Sequence, residues 1–146
     1  LEKATIELDQ DDWHSHSTES VWLSEVSAGK YRVENIPFFA RGLSFRDIVS
    51  VREIDGQLVI TKRLRSAKGS TYRIIPAKGG SKNVLNQFLT ALNEAGCAYE
   101  HGDFGFDLYA LNVPAGVDVH KVYALLEDGE QSKVWDFEEG DCSHDI

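Results

Sequence analysis

Methionine is absent from the 146 residues, and there are only two cysteines and three prolines. Cys97 and Cys142 cannot build the disulfide framework of a small secreted domain, so the chain reads as one that works reduced, in a cytoplasm. No apolar run approaches the roughly 20 residues of a membrane-spanning helix, and no basic-then-apolar leader opens the sequence. With no methionine at Leu1, an initiator and a short segment are expected to precede it. Basic charge is scarce too, with 15 Lys and Arg against 24 Asp and Glu and a net charge of −9. That deficit argues against general nucleic-acid binding, in which Lys and Arg displace the counterions of phosphates. The signatures of common chemistries are also missing: no GxSxG elbow, no GxxxxGK[ST] phosphate loop, no CxxC or HxxxH metal pair.

The charge that is present lies in blocks. Residues 1–29 hold one lysine against seven acids, residues 30–82 twelve Lys and Arg against four acids, and residues 83–146 two lysines against thirteen acids, giving −6, +8 and −11. Two readings follow. Either a basic middle and an acidic second half neutralise each other where they pack, or the acidic half presents a face to a basic partner.

The apolar pattern divides the chain near Gly69. Before it, ATIELD alternates, VWLSEV and KYRVENI flank a Ser27-Ala28-Gly29 turn, and FRDIVSVREI and QLVITKRL flank Asp55-Gly56, a strong hairpin signal. DDWHSHSTES reads as a polar loop. Residues 1–69 are therefore expected to form antiparallel β hairpins, as a small bent sheet or half-barrel. After Gly69 the rhythm changes. STYRIIPA is a strand, and Ser81 can cap a helix over 82–95 whose apolar Val84, Leu85, Phe88, Leu89 and Leu92 recur at helical spacing. CAYEH and FDLYALNV are strands. Asp118 can cap a second helix that Gly129 would end, and KVWDFEE is a last strand. The order β-α-β-β-α-β predicts a ferredoxin-like α+β module over 70–146, packed with the first part as one unit.

The stretch NIPFFARG joins two strands by way of Pro37, which cannot donate to a ladder. Phe38 and Phe39 are then either a buried corner that plugs the first sheet or an exposed contact site flanked by Arg41 and Arg46. Elsewhere, His14 and His16 sit among Asp11 and Asp12, and Cys142 and His144 near Asp141 and Asp145. Their spacing is not that of a metal site, so surface residues and no metal are expected. The AKGGSKN turn places Lys78, Gly79 and Gly80 before a helix start, which suits an anion but also an ordinary βα turn. No Ser or Cys has a convincing histidine partner, so catalysis is disfavoured and no cofactor is expected.

The run VWLSEVSAGKYRVENIPFFARGLSFRDIVSV resembles the opening of a bacterial family catalogued as domain of unknown function 4265. Asn35, Ile36, Pro37, Phe38, Phe39, Ala40, Gly42, Ser44, Asp47 and Val49 carry the likeness, and VWDFEEGDCSH continues it more weakly. The resemblance implies a small bacterial protein and brings no catalytic residues. The expectation for function is a non-catalytic interaction protein, of the immunity or antitoxin type, that blocks a basic partner such as a nuclease toxin. Its contact residues would be Glu127, Asp128, Glu130, Asp136, Glu138, Glu139 and Asp141, all expected to be solvated. The alternative is a small-ligand or enzymatic site formed by Phe38, Phe39, Arg41, Lys78, Gly79 and Gly80.

Overall fold

Two turns fix the first half locally. Gly29 (φ +74°) closes the hairpin between β2 (Thr18–Ser27) and β3 (Lys30–Val33). Asp55 (φ +51°) and Gly56 (φ +79°) both take the left-handed conformation of a two-residue turn between β4 (Ile48–Ile54) and β5 (Gln57–Arg65). The structure, a computed structural model, describes residues 1–9 and 12–145. With β1 (Glu2–Glu7), these strands form a closed barrel in the order β1-β2-β3-β4-β5. A meander of five strands leaves the first and last pointing the same way, so the closing pair has to be parallel. It is, through Ala4↔Leu58 and Thr5↔Val59.

The bent sheet or half-barrel read from the sequence is thus a full barrel. The pairing that closes it joins strands more than fifty residues apart, which local alternation does not encode. Register shifts between Glu25 and Ser27, and twice along β4, add the bends that closure needs. Val21, Leu23, Val33 and Val49 fill the interior, and Ala40 and Leu43 pack with them from the loop between β3 and β4.

The second half is an antiparallel four-stranded sheet in the order β7-β8-β6-β9, with β6 Ser70–Pro76, β7 Ala98–Asp103, β8 Asp107–Val113 and β9 Trp135–Cys142. Helix α1 (Lys82–Glu94) begins where Ser81 Oγ accepts from Val84 N, and Gly96 follows its end with φ +106°. Asp118 caps α2 (Val119–Gln131) by accepting from His120 N and Lys121 N. Gly129 does not end α2 as expected. It lies within the helix because the Trp135 indole rests on it, where a Cβ would collide, and Trp135 Nε1 donates to Leu126 O at 2.9 Å. Among the described residues, no helix is long and apolar enough to cross a membrane.

Both helices pack on Tyr72, Ile74, Leu111 and Val113, with Leu89, Leu92, Val122 and Leu126 completing that core. The alternate residues of β6, Thr71 and Arg73, turn to the other side and meet the first half. Five consecutive residues, Ser70 to Ile74, are therefore buried. The sheet is the middle of three layers, with helices on one side and the barrel with its β3–β4 loop on the other.

Candidate functional site

The β3–β4 loop is held by its backbone. Pro37 ends the ladder, and the next three N–H groups converge on the Glu19 carboxylate: Phe38 N at 2.6 Å, Phe39 N at 3.0 Å and Ala40 N at 2.9 Å. Successive amides of this kind make an anion-binding concavity, filled here by the protein's own side chain. From the sheet side, Arg73 donates to Phe38 O at 2.7 Å and also to Ala40 O. Arg73 is fully buried, and burial lowers its pKa while Glu19 and Glu138 raise it.

Phe39 is 4% exposed and Phe38 half-buried, so the stretch is a corner in the packing. Over Phe39 lies a strap, residues 12–17, which the sequence suggested was a polar loop with surface histidines. Instead the His14 side chain is 1% exposed, and His16 stacks on Phe39 with ring centroids 4.4 Å apart. His14 Nδ1 accepts from His16 N at 2.9 Å. Arg41 ties the strap down, donating to both Asp12 oxygens (2.7 and 3.0 Å) and to Glu138 (3.2 Å), while Trp13 Nε1 donates to Glu138 at 2.8 Å. Asp11 and Gln10 fall outside the described residues.

The seven acids singled out as contact residues divide. Glu127, Asp128, Glu130, Asp136 and Glu139 are exposed. Glu138 is half-buried and engaged by Arg41 and Trp13. Asp141 departs from expectation: it is 7% exposed and accepts from Ser44 Oγ (2.7 Å), Arg63 Nη1 (3.1 Å) and Ser143 Oγ (2.9 Å). Its neighbour in that network, Asp47, is fully buried and also takes Arg63 at 3.1 Å. Two carboxylates around one guanidinium join the barrel to the sheet, which explains how part of the acidic half neutralises the basic middle. His144 is held between Ser70 Oγ (2.7 Å) and Pro114 O (2.9 Å), and no group of three metal-ligating side chains occurs among the described residues.

The second candidate set also divides. Phe38, Phe39 and Arg41 belong to the corner, whereas Lys78, Gly79 and Gly80 line a cleft of about 920 Å³ at one end of the four-stranded sheet. Three connections meet at that end. The β6–α1 turn and the start of α1 bring Lys78 and Lys82, the α2–β9 turn brings Lys133, and the β7–β8 hairpin brings His101, Phe106, Asp107 and Tyr109. The three lysines are exposed and make no ion pair among the described residues. Among the described residues, the one carboxylate in the lining is Asp107, which is bonded to His101 Nε2 at 2.7 Å.

Burial, with the Asp107 charge as a lesser cause, keeps the Tyr109 phenol above its usual pKa, so it stays neutral. No hydroxyl or thiol among the described residues is hydrogen-bonded to His101, so the cleft has a cationic rim and aromatic rings but no paired nucleophile and base. Lys133, His101 and Phe106 were missed by sequence reading. The only local hint was the hairpin around Gly105, which has φ +85°.

A comparison with curated proteins finds no match. A solved structure described as a novel crystal structure of a hypothetical protein from Neisseria gonorrhoeae shares the fold, with a TM-score of 0.79 and 19% identity, covering 100% of this chain and 99% of that one. The family described as Domain of unknown function (DUF4265) matches residues 19–137, and the chain belongs to it.

Proposed function

We propose that this protein is a non-catalytic binding protein whose site is the cleft at the end of the four-stranded sheet, and that its ligand is a small anion-bearing molecule. The observation that carries the reading is the gathering of cations. Residues 70–146 contain four lysines, and Lys78, Lys82 and Lys133 all line this one cleft. They do so with no ion pair among the described residues to neutralise them. A convergence of unpaired cations around a concave space attracts anions, and its volume lies in the range of small-molecule sites. The strand order β7-β8-β6-β9, with a helix after β6 and after β8, supports reading residues 70–146 as a ferredoxin-like module and residues 1–69 as a barrel module packed on it. The two free thiols fit a cytoplasmic setting.

Titration calorimetry with inorganic phosphate tests the reading. The parent should bind, more weakly as salt rises, and the K78A/K82A/K133A variant should not. Equal heats from the two proteins, or none from either, would refute it.

A second reading keeps the basic macromolecular partner. Glu127, Asp128 and Glu130 on the last turns of α2, with Asp136 and Glu139 on β9, remain exposed and available to such a partner, whether a toxin or another cationic protein. Its test is a pull-down from host lysate, followed by association kinetics at two salt concentrations. A partner whose association is insensitive to salt would count against this surface.

A further inference from the structure

The cleft has two chemically different walls. Lysines stand on the β6–α1 and α2–β9 side, whereas the β7–β8 hairpin contributes three rings, His101, Tyr109 and Phe106. The His101 and Tyr109 rings lie 4.8 Å apart and tilted by 37°, and Phe106 is 37% exposed at the hairpin tip. Phe106 is not isolated. Trp13, itself 39% exposed, meets its edge with ring centroids 6.0 Å apart, so the aromatic surface continues beyond the cleft onto the strap. Tyr109 packs its inner side on the core beneath the sheet, whereas His101 and Phe106 are exposed and belong to neither core cluster. Core packing does not account for His101 and Phe106 facing the same space as three unpaired lysines.

We infer that the ligand of this cleft is a nucleoside monophosphate, its planar base stacked on the hairpin wall at Phe106 and its phosphate among Lys78, Lys82 and Lys133. The inference rests on the anion-binding reading of the same cleft and adds the ring to it. Phosphate needs a cationic rim, and a base offers a π-face to aromatic side chains whatever its hydrogen-bonding edge. One molecule carries both groups, and a cleft of about 920 Å³ falls within the size range of small-molecule pockets. Binding alone is inferred, since His101 is bonded to Asp107 and faces no nucleophile among the described residues.

The experiment compares inorganic phosphate, adenosine, the four common nucleoside monophosphates and a tetraglutamate peptide by calorimetry, on the parent, on Phe106→Ala and on K78A/K82A/K133A. At least one nucleotide should bind about tenfold more tightly than phosphate or adenosine. Phe106→Ala should remove that increment while leaving phosphate binding unchanged, and the lysine variant should lose both. If phosphate binds but no nucleotide binds better, or Phe106→Ala leaves the nucleotide affinity intact, the nucleotide inference is overturned and the anion cleft stands. Tetraglutamate binding as tightly as the best nucleotide would likewise overturn it. If neither phosphate nor nucleotide binds, the anion cleft falls with it. The Phe106 ring is 37% exposed and touches Trp13, and a melting curve equal to the parent's shows that the fold is kept.

Discussion

The guanidinium of Arg73 occupies the space that a side chain on residue 140 would need. A Cβ at Gly140 would collide with Arg73 Nη1, an atom that is buried without a hydrogen-bond partner. The strand accommodates this with a bulge, since Thr71 pairs with Asp141 but Tyr72 with Glu139, leaving Gly140 as the extra residue. Gly140 O also accepts from Gly42 N at 2.9 Å, so the bulge touches the loop that Arg73 holds. Gly140→Ala would force Arg73 off the Phe38 and Ala40 carbonyls inside a closed interior. The expected cost is about 3 kcal/mol, read as a lowered urea midpoint with an unchanged slope. A variant as stable as the parent would mean that Arg73 is free to move.

The acids of the second half should respond in two different ways. Asp141→Asn leaves Arg63 and Ser44 facing a neutral group in a buried network and should cost about 3 kcal/mol. The triple change Glu127→Gln, Asp128→Asn and Glu130→Gln removes three charges from an exposed helix end and should stay within about 1 kcal/mol of the parent. Thermal melts of the two proteins check both statements. Similar losses in the two would contradict the division between buried and exposed acids.

The strap should carry an acid-sensitive term. Hydrogen bonding to the Arg41 guanidinium is the main reason that the Asp12 carboxyl is held down to about 2, against the smaller opposing effect of burial. A depressed carboxyl pKa gives stability that is fully present above the unfolded value, near ~4, and lost as pH falls through the folded one. Because Arg41 is half exposed, solvent screening limits the term to about 1 kcal/mol. The melting temperature of Asp12→Asn should therefore lie below the parent's at pH 6, and the gap should largely close by pH 2. A gap that is the same at both pH values would show that Asp12 acts by packing alone.

What the sequence made legible was local. Asp55-Gly56, Ser81 with its apolar stripe, and the β-α-β-β-α-β order each sit within a few turns of chain, where propensity and capping decide. Four features were hidden because their causes are remote. The barrel closes by a parallel pairing between its first and last strands, and Gly129 is small for the sake of Trp135 rather than to stop a helix. The strap looked like solvent-loving loop, yet His14 and His16 pack on Phe39. The cleft joins Lys78 to Lys133 across an entire helix, strand pair and second helix, and no spacing rule connects them. Asp141 misled for a related reason. A carboxylate beside Glu138 and Glu139 in sequence reads as surface, and only the register of β9 on β6 turns it toward Arg63.

The central claim is that the lysine-rimmed end of the four-stranded sheet binds anions. The most direct measurement is a phosphate titration of the 15N-labelled protein, followed amide by amide. Saturable shifts should concentrate at Gly79, Gly80, Ser81, Lys82 and Lys133, with Glu127, Asp128 and the barrel strands unmoved. Shifts that never saturate, or that gather around Arg46 of the β3–β4 loop and Arg52 of β4 and spare the cleft, would contradict the account.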